Sequence, residues 1–182
     1  MNRIIKSMDN NYLEESLNLV ETVFTESENA ESGKLVRSLV KEIRRKQFYL
    51  PELELIMVNE KDRIIGYAMF SKFHLEEKYK NQLLLLSPVA VKTEFQRQHI
   101  SKELIEFGFE KAKGMGYEAV IVEGNPQNYH SRGFETSCHY GIVAGPDIQL
   151  PAPECLMVKE LVPGSLKSIN GIVSYSYYQS LT

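Results

Sequence analysis

Long apolar runs are missing from this chain of 182 residues. No segment approaches the roughly 20 apolar residues needed to cross a bilayer, and none follows the charged start Met1-Asn2-Arg3. No membrane partner and no secretory leader is therefore expected, and the protein is placed in the cytoplasm. Cysteine is scarce. Cys138 and Cys155 supply neither a disulfide framework nor a metal quartet, so both are expected as free thiols, and the scattered His74, His130 and His139 suggest no metal site. An excess of positive charge is also lacking: 21 Lys and Arg stand against 24 Asp and Glu, a formal net charge of −3. That disfavours nucleic acid and favours a small-molecule or cationic partner. There is no repeat and no low-complexity segment. What is present is 43% hydrophobic residues, enough for one well-buried core over residues 1–182 and rather short for two.

Periodicity predicts an α/β chain. Arg3 to Lys6 suits a short strand, and Leu13, Leu17, Val20 and Phe24 recur at helical spacing. Leu35, Leu39, Val40 and Ile43 mark a second helix, ending in the basic stretch Lys41 to Lys46 that suits the negative end of its dipole. Between the two helices Thr25 to Ser32 reads as an acidic loop carrying Glu26, Glu28 and Glu31. Leu53 to Val58 and Arg63 to Phe73 read as an antiparallel hairpin, followed by a polar connector from His74 to Asn81. Strand-like pieces at Tyr140 to Val143 and Leu156 to Leu161 precede a tail, Ile172 to Tyr177, whose alternation suits an edge strand. The tyrosine-rich tail is a candidate contact surface for a homodimer.

The most informative stretch runs from Leu83 to Phe134. Leu83 to Val91 is too apolar for a half-exposed strand, which argues for a central one, and Pro88 within it forces a bulge or a break in pairing because proline cannot donate to the ladder. A loop, Gln96-Arg97-Gln98-His99-Ile100-Ser101, then opens a helix whose apolar side is Ile100, Leu104, Ile105, Gly108, Phe109 and Ala112 and which Gly114 or Gly116 stops. Tyr117 to Glu123 is the next buried strand, so the unit is βαβ with parallel strands. Asn125 and Pro126 are suited to the cap and first position of a short helix carrying Tyr129.

This order of motifs resembles the GNAT N-acetyltransferase superfamily, whose motif A is Gln/Arg-x-x-Gly-x-Gly/Ala between a strand and a helix. Gln96 fits, His99 stands where glycine is expected, and Ser101 takes the last small position. Leu86-Ser87-Pro88-Val89-Ala90-Val91, Gly124-Asn125-Pro126, Tyr129, Gly133-Phe134 and Met157 to Gly164 agree in order with a small, mostly uncharacterised bacterial branch of that family. The resemblance implies a mixed, mostly antiparallel central sheet with a parallel splayed strand pair, flanked by helices.

It also implies a site. The loop Gln96, Arg97, Gln98, His99, Ile100, Ser101 and Lys102 would hold the coenzyme A pyrophosphate through backbone N–H groups at a helix start. Read without the resemblance, it is equally a solvated basic loop. The main chain of Val89, Ala90 and Val91 would pair with the pantetheine arm of acetyl-CoA. Tyr129, four residues before Gly133, would protonate the departing thiolate, since a phenol near pKa 10 matches it in basicity. Glu123, at a strand end, is either a solvated carboxylate or the base for the amine. Glu26, Glu28 and Glu31 would attract a cationic amine acceptor, small molecule or peptide. No metal is expected. The expected activity is acetyl transfer from acetyl-CoA to a primary amine in a ternary complex; an acyl-CoA-binding sensor without turnover is the alternative that His99 raises, and a pure interaction module is a third.

Overall fold

The computed structural model describes residues 2–182. In chain order they form β1 (Arg3–Ser7), α1 (Leu13–Ser27), α2 (Ala30–Arg44), β2 (Glu54–Asn59), β3 (Ile64–Leu75), β4 (Lys78–Val91), α3 (Ile100–Gly114), β5 (Ala119–Glu123), α4 (Pro126–His130), β6 (Glu135–Thr136), β7 (Ile142–Ala144), β8 (Leu156–Glu160) and β9 (Gly171–Val173). One sheet has the order β1-β2-β3-β4-β5-β8-β6, and β7 pairs with β9 in a second. Within the larger sheet only β4 and β5 run parallel. The expected mixed, mostly antiparallel sheet with one parallel pair is the fold observed.

The unalternating run at Leu83 to Leu86 follows from burial on both faces. Leu83 and Leu85 pack with Val20, Val40 and Ile43 of α1 and α2, whereas Leu84 and Leu86 pack with Leu104 and Ile105 of α3. Two glycines let α3 lie close on β3. A Cβ on Gly66 would come within 2.5 Å of the Ile100 side chain, and one on Gly108 within 2.2 Å of the Phe70 ring. On the opposite face Arg44 fixes α2 to the sheet by donating to the fully buried Glu54 carboxylate at 2.6 Å, which also accepts from the Tyr67 hydroxyl at 2.6 Å.

Pro88 sits where the β3–β4 register shifts. Ala68 pairs with Val89 but Phe70 pairs with Leu86, so two residues of β4 oppose Met69, a bulge at the predicted place. The parallel pairing of β4 with β5 stops at Leu85–Ile121, while β5 continues with β8 as far as Glu123. From Leu86 to Val91 the β5-facing edge of β4 therefore has no strand partner. The pair is splayed.

Four local expectations are corrected. The acidic inter-helix loop shrinks to Glu28 and Asn29, because the Asn29 side chain accepts from the Ser32 N–H at 2.9 Å and starts α2 at Ala30. Glu26 then ends α1 and Glu31 lies in the first turn of α2, a favourable place for a carboxylate. The polar connector is mostly strand: Glu76 and Glu77 alone make the turn, at φ 50° and 71°, and His74 Nδ1 accepts from the Glu77 N–H at 3.0 Å. Tyr140 closes a 3₁₀ turn rather than opening a strand, since Gly141 turns the chain at φ 72° before β7.

The tail strand ends at Val173. There the Asp147 carboxylate accepts from the Tyr175 N–H at 2.8 Å and the Ser174 hydroxyl at 3.0 Å, bending the chain inward. Tyr177 stacks on His74 with centroids 4.5 Å apart, and Tyr178 is fully buried against Phe48. These two tyrosines pack within the fold. Among the described residues, no helix is long and apolar enough to cross a membrane, and no cluster of three or more His, Cys, Asp or Glu could hold a metal ion.

Candidate active site

The splay opens a cleft of about 720 Å³. Val89, Ala90 and Val91 form one wall, the loop before α3 its floor, Tyr129 and Arg132 the side beyond α4, and Phe24 and Ser27 at the end of α1 the remaining rim. Main-chain polar groups dominate the floor. The first α3 bond runs from the Glu103 N–H to the His99 carbonyl at 2.9 Å, which leaves the N–H groups of Ile100, Ser101 and Lys102 without a helical acceptor. The helix dipole adds partial positive charge there.

The loop takes left-handed backbone without glycine. Arg97 and His99 both take the left-handed conformation, at φ 61° and 64°, so the backbone curls into a concave array of N–H groups that suits an anion. Each such residue costs about 1–2 kcal/mol relative to the right-handed form. Gln96 ties the loop to the strand by donating from Nε2 to the Val91 carbonyl at 3.2 Å.

Two residues of the expected loop, Gln98 and Lys102, lie off the cleft. The Gln98 carbonyl accepts from Arg3 Nη2 at 2.9 Å, and Lys102 pairs with Glu106 at 3.8 Å. Neither lines the cleft. Arg132 lines it instead. Its Nη2 donates to the Ser101 hydroxyl at 2.7 Å and its Nη1 to the Asn128 carbonyl, while its Nε is buried with no partner. Reasoning from the sequence passed over this arginine, although its place between Tyr129 and Gly133 was a usable signal.

The Tyr129 ring stands edge-on to Phe134, with centroids 5.6 Å apart. It packs over Gly124, where a Cβ would meet the ring at 2.6 Å. Burial raises the phenol above its ordinary value of 10, against a smaller lowering by the Arg132 guanidinium. Tyr129 is held protonated at neutral pH. The cap predicted for its short helix is present, as Asn125 Oδ1 accepts from the Gln127 N–H at 3.0 Å.

Glu123 is exposed and outside this cleft. It was read as either a solvated carboxylate or the base for the amine, and at the end of β5 its side chain is exposed to water. Its carboxylate accepts from the Tyr175 hydroxyl at 2.9 Å and lines a second cleft, of about 340 Å³, that reaches Leu86 and Ser87 of the same unpaired edge. Glu26, Glu28 and Glu31 line neither of these two clefts. Glu26 accepts from the Thr93 hydroxyl, which ties the end of α1 to the segment after β4.

Known proteins similar to this chain share its fold. The family model described as "Acetyltransferase (GNAT) family" matches residues 17–140. The uncharacterized N-acetyltransferase YhbS of Escherichia coli strain K12 is 27% identical over 138 residues, covering 75% of this chain and 78% of that protein. Among solved structures, E. coli YhbS in complex with CoA superposes with a TM-score of 0.82 at 22% identity, over 94% of this chain and 88% of that one. A GNAT family acetyltransferase from Brucella melitensis in complex with acetyl-CoA gives a TM-score of 0.71 at 19% identity, over 100% of this chain and 99% of that one.

Proposed function

The chain belongs to the acetyltransferase (GNAT) family, and on that premise we propose that it transfers the acetyl group of acetyl-CoA to a primary amine by direct attack in a ternary complex. The observation that carries this reading is the loop before α3: two left-handed residues and the Ile100 and Ser101 N–H groups, which have no helical acceptor, lie at a cleft that also holds the unpaired edge of β4 and the half-buried Tyr129. The concave floor fits a pyrophosphate, and Arg132 supplies the side-chain charge that Lys102, outside the cleft, does not. Bound there, acetyl-CoA supplies an activated acyl group as its thioester.

The residues of the chain do the rest. The main chain of Val89 to Val91 pairs with the amide-bearing arm and polarises the carbonyl, which positions it for an amine arriving along the splay. As the nitrogen–carbon bond forms and the carbon–sulfur bond breaks, the Tyr129 hydroxyl gives its proton to the sulfur. Glu123 takes the amine's proton through water, the role left to a carboxylate at the mouth of the splay rather than in its depth.

A thermal-shift titration with acetyl-CoA, paired with an assay of free-thiol release over a mixed amine panel, tests this. A ligand at 100 times its dissociation constant stabilises by about 2.7 kcal/mol. Stabilisation with release supports transfer. Stabilisation without release by any amine supports the sensor reading, and no stabilisation at all sinks both.

A further inference from the structure

The second cleft has a composition that the coenzyme cleft lacks. Leu35, Val36 and Leu39 of α2, Leu85 and Leu86 of β4, and Ile148 make apolar walls, and Glu123 and Asp147 are its only charged side chains. Among the described residues no Lys, Arg or His lines it, and neither carboxylate is in an ion pair. Both are held by one residue: Tyr175 donates its hydroxyl to Glu123 at 2.9 Å and its N–H to Asp147 at 2.8 Å. The cleft touches β4 at Leu86 and Ser87, the first residues beyond the last β4–β5 pair, so it opens on the same edge as the coenzyme cleft.

Taking the transferase reading as given, we propose that this cleft binds the acceptor and selects a small primary amine that is cationic and apolar, without a carboxylate of its own. The ammonium is matched by Glu123 and Asp147, which no protein cation neutralises. An α-carboxylate would bring like charge to the same place and find no donor side chain of opposite sign. The leucines and Ile148 take the hydrocarbon body by removing its surface from water. At about 340 Å³ the cleft lies at the small end of the roughly 300–1,000 Å³ usual for small-molecule sites, which favours a small amine over a folded protein segment.

The test compares phenethylamine with phenylalanine, which adds only the carboxylate, and with ethanolamine, which lacks the apolar body. We expect kcat/KM for phenethylamine to exceed that of each by at least tenfold. Asp147→Asn should narrow the preference over phenylalanine at least threefold and leave KM for acetyl-CoA unchanged. Leu35→Lys, at a position 42% exposed and so tolerant of charge, should lower kcat/KM for phenethylamine and raise it for phenylalanine. Phenylalanine turning over as well as phenethylamine overturns the class while transfer stands. If acetyl-CoA binds and no amine releases thiol, the transferase reading fails by itself. Calorimetry of phenethylamine and phenylalanine on the CoA-loaded protein then decides the class, equal affinities or no binding by either overturning it.

Discussion

Along the unpaired edge of β4 the molecule presents two clefts of opposite chemistry. One is floored by free N–H groups with Arg97, His99 and Arg132 around it; the other is walled by leucines with Glu123 and Asp147 and no cation. The first is built largely from main chain of consecutive residues, the second from side chains of α2, β4, β5 and the tail. The contrast teaches how a strand break is used. One bulge at Pro88 and one early end to the β4–β5 ladder leave a single edge with charge of opposite sign on its two sides, which on the proposed reading would keep an anionic donor and a cationic acceptor from exchanging places.

The largest test removes the Tyr129 hydroxyl from the first cleft. Tyr129→Phe keeps the ring over Gly124 and should lower kcat by about 100-fold or more, within the range for a general acid, with KM for acetyl-CoA within a few fold. Because burial raises this phenol above 10, the proton donor is intact throughout the neutral and mildly alkaline range, and kcat should fall only above pH 10. An unchanged kcat in Tyr129→Phe, with chemistry shown to be rate-limiting, would pass the role to water.

Next comes the cationic side. Arg132→Gln should weaken acetyl-CoA binding about tenfold, equivalent to about 1.4 kcal/mol, and flatten its salt dependence while leaving amine KM alone. Equal losses for coenzyme and amine, measured by calorimetry and kinetics, would erase the division between the clefts.

His99→Gly is a smaller perturbation. Relief of the left-handed strain, about 1–2 kcal/mol, is offset by the greater chain entropy glycine loses on folding, about 0.5–1 kcal/mol. The variant without ligand should therefore melt up to about 6 °C higher, and acetyl-CoA affinity should hold or tighten if the cradle is main chain. A tenfold loss of affinity would instead assign a specific contact to the imidazole.

The least effect is expected at Glu26, Glu28 and Glu31. All three line neither cleft, and exposed charges are screened within about 8 Å at physiological salt, so changing them together to Gln should alter amine KM by less than about twofold. A larger rise than in Asp147→Asn would move the acceptor to the helix junction.

Much of the coenzyme side was legible because it is local. The strand, loop and helix are consecutive, Pro88 announces the bulge, and Asn125-Pro126 announces the short helix that carries Tyr129. Less legible was which loop residues reach the cleft: Gln98 and Lys102 do not, the Gln98 carbonyl being taken by Arg3, 95 residues away, and the Lys102 side chain by Glu106. The inter-helix loop was drawn too long because an asparagine cap was read as part of the turn. The tail was read as an edge strand because alternation cannot show that Asp147 will bend it at Tyr175.

Sequence alone was enough to determine the α/β order, the bulge at Pro88 and the strand–loop–helix order before α3, since each rests on periodicity or on local residue chemistry, and the family resemblance, carried by motifs spread along the chain, implied the splayed pair. Only the tertiary structure decided that Arg132 completes that loop through Ser101, 31 residues away, and that Tyr175 brings Glu123 and Asp147 into one cleft across separations of 52 and 28 residues. The reason is physical. Backbone geometry and burial are set by neighbours in the chain, whereas the pairing of distant polar side chains depends on which surfaces meet when the sheet closes.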